Sequence, residues 1–286
     1  MMTRMILLLL VCLPPVAAAS PVASAVGYAH SSSVLKSDTR PGAFQALNVL
    51  DGRVSTVWCE GAEGDGTGES VSIGFRGEAR IDEVRITTGD QRDEASFKAH
   101  HRVKALELKT QEKRHTFVVV DSPEPQSFKL DEPLEVERLL LEIVAVTKGE
   151  GAEDVACLAD VVFLSGGKPL NGSSLDGKLK HDAGRALLMG TWFAGPAGAR
   201  DRFLDFYFDG TFHYAFRPFD PEEKAVTLSG DYAFDGNRLR LKLPEKGWVE
   251  VKAAPRSGGR NDGARQLDLD AEAIRATLGG KWSDKP

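Results

Sequence analysis

Between Trp58 and Glu69 the chain reads WCEGAEGDGTGE, with glycine at every second position from Gly64 to Gly68. Glycine at that density serves a backbone shape that other residues avoid, or a close approach by something else. A phosphate is one candidate occupant. Phosphate loops, however, close on Lys-Ser/Thr or lead from a strand into a helix. Here no lysine follows, and SVSIGF at 70–75 alternates like a strand. Calcium loops of the EF-hand type need regularly spaced acids and a closing glutamate. Asp65 and Glu69 do not supply them. A tight loop ahead of a strand remains.

Other reactive residues are sparse. The six histidines are His30, His100, His101, His115, His181 and His213. None lies in a His-Glu-x-x-His pattern, Cys-x-x-Cys is absent, and so is Gly-x-Ser-x-Gly. His100-His101 reads as a loop pair. Acidic pairs such as Asp93-Glu94 read as solvated. No residue is assigned a catalytic role, and the chain is read as a non-enzyme.

The N-terminus MMTRMILLLLVCLPPVAAAS has one positive charge at Arg4, an apolar run and a small-residue exit. That is the layout of a secretory leader over residues 1–19, with cleavage as late as 25. The apolar run is too short to span a bilayer, which takes roughly 20 residues. Val11 is too bulky for a lipobox at Cys12. The expected location is therefore secreted or periplasmic, with no transmembrane segment. Formal net charge is −6, and removing Arg4 makes the mature chain more acidic. With no basic stripe, nucleic acid is excluded as a partner. Cys59 and Cys157 remain after cleavage. An even count in an oxidising compartment favours one disulfide over two separately buried thiols.

These residues must be positioned by strands. Val71, Ile73 and Phe75 alternate with small residues, as do Leu139, Leu141 and Ile143 with their neighbours. Further short runs lie at Val84–Ile86, Leu106–Leu108, Thr116–Val120 and Val161–Phe163. Turn residues bound each run, which gives an antiparallel sandwich over 26–165. Residues 166–186, GGKPLNGSSLDGKLKHDAGRA, read as a polar linker. The sequon at Asn171 would matter only in a eukaryotic host. A second β region covers 187–286. Its Asp209-Gly210 and Asp235-Gly236 pairs sit between alternating apolar runs, a strong hairpin signal. Residues 253–265 read as a polar loop and Ala271–Leu278 as a short helix. The aromatic face Phe206, Phe208, Phe212, Tyr214 and Phe216 reads as core ahead of ligand pocket.

VLDGRVSTVW resembles the ALDGDPSTAW segment of discoidin-like, galactose-binding jelly rolls. The glycine loop, Gly89-Asp90-Gln91, Phe97 with RVKALEL, and the closing DVACLADVVF follow in order. Together they resemble the NADase-type glycan-binding domain over roughly residues 30–165. The resemblance implies a non-catalytic glycan-binding module. It places Asp90, Gln91, Arg92, Phe97 and Arg102 on exposed loops as candidate sugar contacts. It also implies a structural calcium held by Asp51, Thr56 and Asp160, with Asp160 standing where the family has glutamate. The alternative is that Asp51 caps a turn and Asp160 pairs with a basic residue. Trp58 falls within the folded-back loop and is read as core. The resemblance also brings Cys59 and Cys157 together as a disulfide. In the second region, Gly190-Thr191-Trp192, FLDFYFDGTFHY and LSGDYAFDGNRLRL are similar to small lipocalin-like domains of bacterial envelope proteins.

The fold class expected is thus all-β: a discoidin-like jelly roll followed by a small up-and-down meander or barrel. The expected partner is a glycan or cell-surface component. The alternatives are an envelope adhesion or assembly module that binds protein, and a lipocalin-like binder of a small hydrophobic ligand.

Overall fold

A computed structural model describes residues 25–40, 42–171, 183–195, 200–236, 238–256, 264–274 and 278–284. The expected leader and the middle of the expected linker lie outside the described residues.

The first unit is built from β1 (Val26–Ser31), β2 (Trp58–Cys59), β3 (Ser70–Thr88), β4 (His101–Lys109), β5 (Arg114–Val118), β6 (Gln126–Thr147), β7 (Ala156–Ser165) and β8 (Lys168–Pro169). The strand order is β1-β3-β6-β4-β7-β2, with β3 also pairing β7. The long strand β3 shifts register against β6 between Gly74 and Ala79 and again between Ile81 and Glu83. Such bulges bend a strand, so one strand serves both faces of a sandwich. Alternate residues turn inward. Val71, Ile73, Ile143, Val161 and Phe163 are wholly buried, and each stabilises the fold by about 1.5–3 kcal/mol. Trp58 joins them as core, its indole donating to the Ser33 carbonyl at 3.0 Å.

The glycine loop serves the fold. Gly64, Gly66 and Gly68 all take positive φ. At Gly66 a side chain is also excluded by space, because a Cβ there would lie 2.6 Å from Ala156. The close approach suspected from sequence is therefore by β7.

The second unit is a closed barrel. Its strands are β9 (Gly190–Ala194), β10 (Arg202–Phe206), β11 (Thr211–Phe216), β12 (Val226–Phe234), β13 (Arg238–Leu243), β14 (Gly247–Arg256), β15 (Gln266–Asp270) and β16 (Gly280–Ser283). Pairing of Ser283 with Phe193 closes the ring. Trp192, Trp282, Phe206 and Phe212 fill the interior. The two indoles donate to the Leu188 and Leu278 carbonyls, so their polar atoms are satisfied. Most of the aromatic face is therefore packed core.

One sequence expectation is corrected, and two others meet only part of the described residues. The stretch 166–186 begins with β8 on β7 and ends in α2 (Ala183–Leu188) once α1 (Glu94–Ala99) is counted. Within it, Asn171 accepts from the Phe163 amide and donates to the Val161 and Leu50 carbonyls. That side chain is committed to the fold. Residues 253–256 belong to β14, paired with β15 through Arg256 and Gln266. The 271–278 segment holds a 3-10 turn at Glu272–Ile274.

The two units share more than a chain. Tyr207 and Phe208, at the β10–β11 turn, pack into the core of the sandwich. The Phe208 amide donates to the Gly27 carbonyl at 2.8 Å. Gly27 must lack a side chain, because a Cβ would sit 2.4 Å from the Tyr207 ring. Arg76 pairs with Asp209 at 2.7 Å across the same seam.

Candidate functional site: the loop end of the sandwich

One end of the sandwich gathers the loop after β3, helix α1 and the start of β4. Asp93 caps α1 by accepting from the Ser96 amide at 2.7 Å. Inside this turn Asp90 is fully buried. Its carboxylate accepts from Arg92 through Nε and Nη2, and its Oδ2 lies 3.0 Å from His100 Nδ1. Burial alone would raise the Asp90 carboxyl. The Arg92 and His100 contacts outweigh it and hold that carboxyl well below the usual carboxylate range. Arg92 is raised in return, and its guanidinium lies 4.8 Å from the Phe44 ring centre.

Arg102 is buried in β4 and bonds Asp121 at 2.6 Å. It also donates to the Phe97, His100 and Lys148 carbonyls. Phe97 lies on α1, half-buried, with the Arg102 guanidinium 5.3 Å from its ring centre. Gln91 donates to the Thr88 and Pro123 carbonyls.

The structure therefore brings Asp90, Gln91, Arg92, Phe97 and Arg102 into one region, but not all as exposed contacts. Asp90 and Arg102 are corrected to buried groups, because each satisfies several backbone or charged partners inward. Sequence reading missed His100, whose partner Asp90 lies ten residues earlier. The adjacent His-His pair was the available signal. His101 is buried too, with Nε2 3.2 Å from Asp154 and Nδ1 accepting from the Gly149 amide.

Cys59 and Cys157 are cross-strand partners and form a disulfide. The Asp90 carboxylate and both sulfurs lie within 4.8 Å of one another. With both sulfurs bonded, this group is not a metal set.

The folded-back loop carries the other candidate site. Asp51 accepts from the Arg53 amide and from the Thr56 hydroxyl at 2.7 Å, so it does cap a turn. Asp160 on β7 accepts from the Gly52 amide at 3.2 Å. No ion pair to Asp160 is present among the described residues. Burial, with the Asp51 charge adding to it and the Gly52 amide opposing, pushes the Asp160 carboxyl up to about 7. Two carboxyls, a hydroxyl and the Arg53 carbonyl offer an all-oxygen donor set. Such a set suits calcium.

This strand order, bulged long strand and loop end define a discoidin-like jelly roll joined to an eight-stranded barrel. Residues 23–164 match the family model of the NAD glycohydrolase translocation F5/8 type C domain, and that half of the chain is such a domain. The family 32 carbohydrate-binding module of Clostridium perfringens NanJ, solved with galactose, is 14% identical with a TM-score of 0.35. That comparison covers 48% of this chain and 91% of the module. A CBM32 module of Clostridium perfringens in complex with GalNAc-β-1,3-galactose is 16% identical with a TM-score of 0.34, over 48% of this chain and 94% of that one. Arabinofuranosyltransferase AftD from Mycobacteria is 14% identical with a TM-score of 0.41, over 86% of this chain and 20% of the enzyme. No curated protein matches the chain. No helix among the described residues is long and apolar enough to cross a membrane.

Proposed function

We propose that the sandwich is a non-catalytic glycan-binding module of an exported protein. The cluster around Asp90 carries this reading. A buried carboxylate fixes Arg92 and His100, while Arg102 backs the half-buried Phe97 ring. A sugar offers an apolar C–H face and a ring of hydroxyls. An aromatic ring beside a rigid planar donor suits both. Phe97, Arg92 and Gln91 make the contacts, and Asp90 and Arg102 position them. The family match over the same residues supports the assignment. The disulfide supports export, because such bonds persist in oxidising compartments. Calcium at Asp51, Thr56 and Asp160 offsets the buried Asp160 charge and pins the folded-back loop.

A glycan array with the full chain tests the reading. Binding should appear and be displaced by free sugar. Phe97→Ala should weaken it by about 1–3 kcal/mol, by analogy with other stacking losses, with the chain still folded. Binding to protein partners that free sugar leaves untouched would favour an adhesion module instead.

A further inference from the structure

The seam between the sandwich and the barrel holds a cleft of about 540 Å3. Small-molecule sites run from roughly 300 to 1,000 Å3 and favour domain interfaces. Phe75, Tyr207 and Phe212 supply apolar walls, and three arginines line the rest. Two of the arginines are committed. Arg76 pairs with Asp209 at 2.7 Å, and Arg217 bonds both Glu137 oxygens at 2.8 and 3.3 Å.

Arg138 differs. Its one ion-pair contact among the described residues is to Glu137 at 3.9 Å, too long for a hydrogen bond. Its guanidinium lies 5.3 Å from the Phe193 ring centre and 5.6 Å from that of Phe203. Two aromatic rings thus brace a cation whose donors have no acceptor at hydrogen-bond distance among the described residues. Nearby, Asp205 accepts from the Thr191 hydroxyl, which lies 2.9 Å from the Tyr28 hydroxyl. Burial pushes the Asp205 carboxyl up, with the Thr191 hydroxyl and the Arg138 charge opposing. At the rim His213 Nδ1 lies 2.9 Å from the Ser229 hydroxyl, and Asp231 stands next to them on the lining.

We propose that this cleft is a second binding site, taking a small carboxylated saccharide of the uronic acid class. The ligand carboxylate meets the planar fork of Arg138, a geometry that allows two parallel N–H···O bonds. Its hydroxyls meet Ser229, His213 and Asp231, which offer both donors and acceptors. Charge decides against phosphate. A dianion would find one cation without a close ion pair, Arg138, since Arg76 and Arg217 are already paired with Asp209 and Glu137. The cleft shares no residue with the cluster around Asp90, so it stands or falls apart from the reading above.

The test uses the full chain with sodium glucuronate, glucose and inorganic phosphate as probes, followed by thermal unfolding and calorimetry. Glucuronate should raise the Tm as its concentration rises, and glucose should not. Arg138→Gln should weaken glucuronate binding at least about tenfold, the loss expected for a charged hydrogen bond. Because Arg138 also braces two rings, a second variant is included. Ser229→Trp places bulk at the exposed mouth and leaves every charge in place. It should keep the ligand-free Tm and lose the glucuronate shift. The proposal is overturned by no glucuronate shift in the native chain, by a shift that survives Ser229→Trp, or by an equal shift with phosphate.

Discussion

Asp90 and Asp160 are both buried in the same sandwich, yet their surroundings push them in opposite directions. Asp90 faces Arg92 and His100 and is held as a carboxylate. Asp160 has no such cation, and burial, with the Asp51 charge adding to it, drives it toward its neutral form. Depth of burial is similar, so the partner decides the state. One region is electrostatically complete and therefore stiff, which suits a platform for recognition. The other is incomplete at Asp160, which has no ion pair among the described residues, and suits an added cation. The disulfide joins the two, because Cys157 lies beside Asp90 in space and three residues before Asp160 on β7.

The largest expected effect removes that joint. Cys59→Ala with Cys157→Ala should cost about 2–5 kcal/mol in denaturant unfolding and weaken both calcium and glycan binding. If both ligands bind as before, the two regions are independent and the link between them is broken.

Next comes the complete region. Asp90→Ala leaves Arg92 and His100 without their acceptor and should cost about 1–3 kcal/mol. Asp90→Asn sharpens the test through acid titration. A carboxyl depressed by folding contributes stability that is present above its ordinary range and lost as the pH falls through that range and below. The native chain should therefore lose stability on acidification more steeply than Asp90→Asn. Parallel curves would mean that Asp90 is not held down by folding.

The incomplete region should respond with the opposite sign. Without calcium at neutral pH, Asp160→Asn should stabilise the chain by about 1 kcal/mol, because it removes an uncompensated buried charge. Calcium should raise the native Tm and leave that of Asp160→Asn unchanged. A native Tm unmoved by calcium would reduce Asp51 to its turn cap.

The smallest expected change in stability is that of Phe97→Ala, about 1 kcal/mol or less for a half-buried ring on a short helix. A larger loss, accompanied by unfolding, would make Phe97 a core residue and remove it from the platform.

Sequence made some of this readable and hid the rest for physical reasons. The hairpins at Asp209-Gly210 and Asp235-Gly236 were visible because turn chemistry is local. Alternation in β3 and β6 was visible because the pleat has a period of two. The two cysteines were visible as a pair, though their apposition came from a resemblance. The resemblance places Arg102 on an exposed loop because its acceptors, Asp121 and the Lys148 carbonyl, lie far along the chain. The cleft at Arg138 escaped notice for the same reason, as its walls come from β3, β6, β10, β11 and β12. Residues 253–256 look like loop in the sequence because Pro255 and the polar residues after it obscure their pairing with β15.

The contact of Phe208 with Gly27 bears on how the chain is made. A ribosome releases the sandwich strands first, and domains tend to fold as they emerge. Here the nascent sandwich lacks two aromatic side chains that arrive only with the β10–β11 hairpin. Until then the surface of β1 around Gly27 lacks its cover. Contacts this distant in sequence also slow the final search. Completion of the N-terminal half is thus timed by the synthesis of the C-terminal half.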